Sequence, residues 1–189
     1  MGGRSRTTEV PESRLIRDAT RGDPDAFNAL ITPYALAARR VARAVLGDSE
    51  DADDVVQDAT FSAWQALDRF DVERPFRPWF MRIVTNAALD WHRKQRLRKS
   101  EPLAESHPAP NRGPEQHAEA ALLRDRLKEG LESLPERQRV AVVLFDAEGY
   151  SHAEVAAVLG VPEGTVRSYV FHARRALRSR LGSVMEALR

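Results

Sequence analysis

Apolar positions recur along this chain at helical spacing, and nothing alternates convincingly with the period of a strand. Phe27, Leu30, Ile31, Tyr34, Val41 and Val45 follow an Asp23-Pro24 start, with Asp as N-cap and Pro at the first helical position. Pro33 is expected to bend or split this helix, because a proline removes a backbone donor and clashes with the preceding turn. Gly47 is expected to end it. A second helix should start after Asp48 or Ser49 and run to about Leu67. Asp68 to Pro78 (DRFDVERPFRP), with two prolines and mixed charge, reads as a loop. A third helix is expected from Trp79 to about Lys99. Phe80, Ile83, Val84, Ala87 and Trp91 form its apolar face, and Arg82, Asn86, Asp90 and Arg93 lie opposite.

The pattern then breaks. Ser100 to Glu115 (SEPLAESHPAPNRGPE) has four prolines and almost no large apolar residue, the composition of a flexible tether. Its 16 residues can span up to ~50 Å fully extended. Periodicity resumes near Glu119. Leu123, Leu127, Leu131 and Leu134 share one helical stripe that Pro135 stops, and Val140 to Phe145 begins another helix. The fold class is therefore all-α: two small helical domains joined by a flexible linker, the C-terminal one containing a helix-turn-helix. The divisions fall at a disordered N-terminal tail (1–12), a front domain (13–99), the linker (100–118) and a back domain (119–189).

The helix-turn-helix is read from turn chemistry. Ser151 and Glu154 have capping-box spacing, and Val155, Ala156, Val158 and Leu159 follow. Gly160 can adopt the left-handed conformation of a tight turn. Val161 can fill the gap between two helices, and Pro162 lies where the second begins. That order suits a DNA-binding helix-turn-helix. On the second helix Arg167, Ser168, Phe171, His172 and Arg175 share a face. Arginine can pair with guanine, serine with a base or phosphate, and phenylalanine with a thymine methyl. Arg174, Arg178 and Arg180 suit phosphates. Val166, Val170, Ala173 and Leu177 are assigned to the core.

Charge sharpens this picture through its distribution, since the net charge of the 189-residue chain is only +1. Asp48 to Asp58 holds six acids and no base, while His92 to Lys99 holds five Arg/Lys and no acid. Separated signs imply different partner surfaces. The absence of cysteine excludes disulfides and thiolate chemistry. No apolar run approaches a membrane span, no secretory signal stands at the N-terminus, and a cytoplasmic location without membrane insertion is expected. The five histidines are too scattered for a zinc site, so no cofactor or metal is expected. No convergent nucleophile and base suggest an enzyme.

Three collinear motifs then carry a resemblance. DADDVVQDATFSAW (51–64) is similar to the polymerase-binding region of bacterial RNA polymerase sigma factors of the extracytoplasmic-function (ECF) class. FRPWFMRIVTNAALDWHRKQR (76–96) resembles their promoter-melting and −10-reading segment. LPERQRVAVVL, GYSHAEVAAVLGVPEGTVRS and HARRAL resemble their −35-reading domain. The match spans about residues 13–185.

The resemblance implies a sigma factor that binds core polymerase, reads −10 and −35 promoter elements and promotes duplex opening. It implies core polymerase contact at Asp53, Asp54, Val56, Gln57, Asp58 and Phe61. It implies −10 DNA contact at Arg74, Arg77, Trp79, Arg82, Asn86, Arg93, Lys94 and Arg96, with cations for the backbone and Asn86 for a base edge. It carries Thr165 into the −35 set, beside Arg167, Ser168, Phe171, His172, Arg174, Arg175 and Arg178. It further implies an anti-sigma factor as partner, and a linker that threads a polymerase channel. Tyr169 and His172 depart from the family, standing where arginines are common, so no known −35 sequence transfers. The alternative is a stand-alone helix-turn-helix regulator without polymerase contact.

Overall fold

The computed structural model describes residues 11–47, 50–99 and 118–187. Among them are nine α-helices and no strand. The front half contains α1 (Glu12–Thr20), α2 (Pro24–Ile31), α3 (Ala35–Leu46), α4 (Glu50–Ala66) and α5 (Phe76–Lys99). The back half contains α6 (Ala118–Glu132), α7 (Glu136–Val142), α8 (His152–Leu159) and α9 (Glu163–Ala187). The expected tail, up to residue 10, and the expected linker, up to residue 117, lie outside the described residues, as do both candidate caps of α4.

Local chemistry explains most boundaries. Asp23 caps α2, its Oδ1 accepting from the backbone N–H of Asp25 (2.9 Å) and Ala26 (3.2 Å). Pro33 splits the following helix through a 3₁₀ turn at Thr32–Tyr34. Two expectations shift. Glu12, assigned to the tail, begins α1, and its carboxylate accepts from the Tyr34 hydroxyl at 2.9 Å. Burial, with Glu12 adding to it, pushes that phenol up to about 12. The third helix starts at Phe76 rather than Trp79, so the loop is shorter than Asp68–Pro78. Pro78 falls in the first turn of α5, where no intrahelical partner is needed for its missing N–H.

An aromatic cluster fixes that start. Phe70 meets Phe76 edge-on (centroids 5.6 Å) and Trp79 at 4.8 Å, while Phe76 stacks on Phe80 at 6.0 Å. Tyr34 closes the cluster against Phe76 at 6.0 Å. Phe76 and Phe80 are buried and Trp79 half-buried. Ala38, Val41, Val45, Val55, Ala59, Val84 and Ala88 extend this core through α3, α4 and α5.

In the back half α9 packs against α6, α7 and α8. A Cβ on Gly130 would come within 2.9 Å of Leu177, so glycine permits the close approach of α6 and α9 there. The expected leucine stripe of α6 is only partly covered: Leu134 is buried, whereas Leu123 and Leu127 are each 40% exposed. Val143–Ala147 continues α7 as a π-helical turn.

The two halves also pack on one another, α5 against α8 and α3 against α7. Arg139, 7% exposed, lies at this junction. It donates to the carbonyls of Ala44 (2.9 Å) and Val45 (3.5 Å) at the end of α3. It also donates to those of Glu132 (2.7 Å) and Leu134 (3.0 Å) where α6 ends. Burial pulls its pKa below the ordinary arginine value, against the opposing pull of Glu132 and Glu136. Replacing it with a methionine keeps the bulk but strands several buried carbonyls, a loss on the order of 3 kcal/mol. For a chain of this size that corresponds to a Tm about 10 °C lower. Arg139→Met in thermal unfolding followed by circular dichroism checks this, and an unchanged Tm would refute the capping role.

Candidate nucleic-acid and partner interfaces

Helix α4 presents Asp54, Gln57, Asp58 and Phe61 as one exposed stripe, at the i, i+3, i+4, i+7 positions of a helix. Phe61 is 61% exposed, an aromatic with no fold-level reason to face water. Val56 is half-buried beside it. Asp53 has work within the fold: it lies 3.3 Å from Arg39 and 3.6 Å from Arg43, tying α4 to α3. Val55 is core, and Trp64 packs edge-on to Phe27 at 4.9 Å.

Helix α5 exposes Arg82, Asn86, Asp90, Arg93 and Lys94. Arg93 donates to Asp90 at 3.0 Å, and Arg74, in the loop, lies 3.2 Å from Asp71. Trp79 belongs to the aromatic cluster and is only partly available. One residue of the −10 set is turned elsewhere. Arg77 donates to the Glu148 carbonyl (2.7 Å) and its guanidinium sits 3.6 Å over the Tyr150 ring. Arg96 stands 3.8 Å from Glu136. The structure thus leaves Arg82, Asn86, Arg93 and Lys94 exposed on α5 and takes Arg77 into the junction between the halves, whereas Arg96 keeps a side chain 75% exposed beside Glu136.

The helix-turn-helix forms as its sequence suggests. Ser151 Oγ accepts from Glu154 N (3.2 Å), and Ser151 N donates to the Glu154 carboxylate (2.8 Å), completing a capping box. Gly160 ends α8 in the left-handed conformation (φ 64°, ψ 39°). Val166, Val170 and Ala173 are buried, and Leu177 is half-buried against Gly130. Arg167, Ser168, Phe171, His172, Arg175 and Arg178 are exposed, with Phe171 at 62%, and Thr165 is half-buried. An open groove of about 470 Å³ runs past Arg167, Phe171, Arg174, Arg175 and Arg178. Arg167 is held by Glu163 at 2.6 Å.

One feature escaped the sequence reading. Arg174 is paired with Asp146 through two hydrogen bonds and lies over the Phe145 ring, which stacks on His152 at 4.2 Å. The Asp146 pair raises the arginine's pKa. The pairing crosses 28 residues from a π-helical turn, and no local spacing signals it. Among the described residues no group of His, Asp and Glu is placed to hold a metal, and no helix is long and apolar enough to cross a membrane.

Comparison with known proteins gives this geometry its family. Residues 30–98 match Sigma-70 region 2, and residues 124–177 match Sigma-70, region 4. The ECF RNA polymerase sigma factor SigM of Mycobacterium tuberculosis is 37% identical over 181 residues, 96% of this chain and 88% of the relative. The chain is an ECF sigma factor. Its fold matches CnrH in complex with the cytosolic domain of CnrY, with a TM-score of 0.71, 32% identity and coverage of 91% of this chain and 97% of that one. CnrH of Cupriavidus metallidurans is also a curated relative. A Bartonella quintana RpoE, solved with the anti-sigma factor NepR, matches with a TM-score of 0.66 and 26% identity over 82% of this chain and 96% of that one. Like its family, this sigma factor is a DNA-binding transcription initiation factor.

The Asp146 pair makes a measurable prediction. Asp146→Asn releases Arg174 to a phosphate, so binding of a promoter duplex should tighten. The slope of log K against log salt should stay the same, because Arg174 leaves Asp146 for a phosphate in the parent as well. Fluorescence anisotropy over a KCl series reads both, and a slope steeper by about 0.9 would show that Arg174 stays with Asp146 in the parent complex.

Proposed function

We propose that this sigma factor docks on core RNA polymerase through the α4 stripe, reads the −10 element with α5 and the −35 element with α9, and helps open the duplex. The α4 contact is assigned to Asp54, Val56, Gln57, Asp58 and Phe61, with Asp53 shaping the surface from behind. Asn86, flanked by Arg82, Arg93 and Lys94, holds an unpaired base, and the arginines hold the strand. Arg74, Arg77, Trp79 and Arg96 complete that site. Thr165, Arg167, Ser168, Phe171, His172, Arg174, Arg175 and Arg178 form the duplex-reading face. Opening is driven by capture of unpaired bases; no chemical step is catalysed and no cofactor is used. The protein works in the cytoplasm, where polymerase and promoter are, under an anti-sigma factor that covers its front and back domains.

The observation that carries this reading is that an exposed phenylalanine in an acidic stripe shares a chain with a helix-turn-helix. A regulator acting without polymerase needs only the second. Run-off transcription with purified core polymerase tests it. Promoter-specific transcripts from a genomic template library should appear only when this chain is added, and their absence would sink the reading.

Asn86→Ala supplies a finer test. Opening of a cognate promoter, read by permanganate footprinting, should fall about tenfold, whereas binding of a −35 duplex should stay within twofold. One lost polar base contact accounts for about 1–3 kcal/mol. Equal losses in both assays would remove Asn86 from the melting site.

A further inference from the structure

His152 belongs to none of the contact sets proposed above, yet it stands in the wall of the α9 groove. It is the first residue of α8, half-buried, and it lines that groove with Arg167, Phe171, Arg174, Arg175 and Arg178. Its imidazole stacks on Phe145, with centroids 4.2 Å apart and planes 28° from parallel. The Arg174 guanidinium lies over the same ring at 5.2 Å. One aromatic ring therefore holds a histidine and an arginine together, in a groove whose other charged lining residues are arginines.

The charges around His152 come from several elements. Glu163 holds Arg167 at 2.6 Å, and Asp146, in the π-helical turn, holds Arg174. On α8 itself Glu154 accepts from Ser151 N and lies 3.7 Å from Arg77 of α5. From α7, Arg137 reaches the Leu159 carbonyl at the opposite end of α8. Glu163, Asp146 and Glu154 thus each have a donor already, and none is free to serve an imidazolium. A bound duplex changes this. Its phosphates bring negative charge into the groove, and when Arg174 leaves for one of them, the carboxylate it leaves belongs to the residue next to Phe145. Both changes favour a charged imidazole over a neutral one. We propose that His152 is a further, proton-dependent contact of the duplex-reading face: on binding it takes up a proton from solvent and donates an N–H to a backbone phosphate. The proposal rests on the reading of α9 as that face, and adds to it a residue of α8 and a pH dependence. Binding consumes a proton, so affinity rises as pH falls through the range where histidine changes charge, and the contact is lost as pH rises.

The test titrates the full chain with a labelled mixed-sequence duplex of roughly 30 base pairs, because a phosphate contact needs no particular sequence. Near pH 6 the parent should bind about fivefold more tightly than His152→Gln, the effect of one charge-assisted hydrogen bond, and near pH 8 the two should agree within about twofold. The slope of log K against log salt should be steeper in the parent by about 0.9 at the lower pH and equal in the two proteins at the higher. His172, exposed on α9 and also able to titrate, is common to both proteins and cancels. His152→Arg fixes the charge and should bind near pH 8 about as tightly as the parent does near pH 6. A parent-to-glutamine ratio that is the same at both pH values marks His152 as packing for Phe145 alone and overturns the proposal. An arginine variant that keeps the whole of the parent's pH dependence overturns it too. Neither polymerase nor a cognate promoter is needed, so either result leaves the run-off experiment to decide the sigma reading separately. A parent that binds no duplex at either pH overturns this contact together with the duplex-reading role of α9.

Discussion

One guanidinium ends two helices. Arg139 places its donors on the carbonyls that α3 and the α6 turn leave without intrahelical partners, and so joins the front half to the back half at a point from which water is excluded. The C-terminal end of a helix carries partial negative charge, which together with the pull of Glu132 and Glu136 lets a cation be buried there. Its pKa is lowered by that burial yet starts from so high a value that it remains charged. A lysine could not divide its donors between two helix ends in the same plane. The arrangement of α5 against α8 follows from this junction and from the charges beside it.

How much of this was legible in the sequence depends on the range of the interaction. Capping at Asp23 and Ser151, the split at Pro33 and the left-handed Gly160 involve neighbours within four residues, and local chemistry determined each. Two prolines make Asp68–Pro78 read as a loop, yet α5 begins at Phe76. Phe76 packs against Tyr34, far back in the chain, as well as against Phe70 and Phe80, and that distant contact helps hold the helix start ahead of Pro78. The pairs Arg174–Asp146, Arg40–Glu148 and Arg77–Tyr150 join residues 28 to 108 apart. In sequence each is one charged residue among many, and nothing marks which will be buried.

The candidate site residues divide along the same line. Phe61, Asn86 and Phe171 could be placed on faces by counting helical turns, and all three are exposed. Periodicity fixes a residue's angle around its own helix but not what packs beside that helix. Helix phase therefore does not show that Arg77 is engaged by the Glu148 carbonyl and the Tyr150 ring, or that two arginines of α3 hold Asp53.

Arginines in this chain consequently fall into two kinds. A guanidinium that can leave one acidic partner for a phosphate loses little, because both contacts are charge-assisted and both lie near the surface. Arg167 with Glu163, Arg93 with Asp90 and Arg174 with Asp146 are such exchangeable pairs. Arg139 is not, because its partners are buried carbonyls with no alternative donor. The chain thus combines fixed cations that build the helical scaffold with surface cations each held by a single carboxylate. In the function proposed above, ion pairs of the second kind would keep the basic faces of α5 and α9 from binding any polyanion indiscriminately, since each carboxylate must be displaced before a phosphate is held. In that proposal selectivity for the right sequence comes from exposed residues without a competing acid, such as Asn86 and Phe171, whose contacts would form only against a matching base.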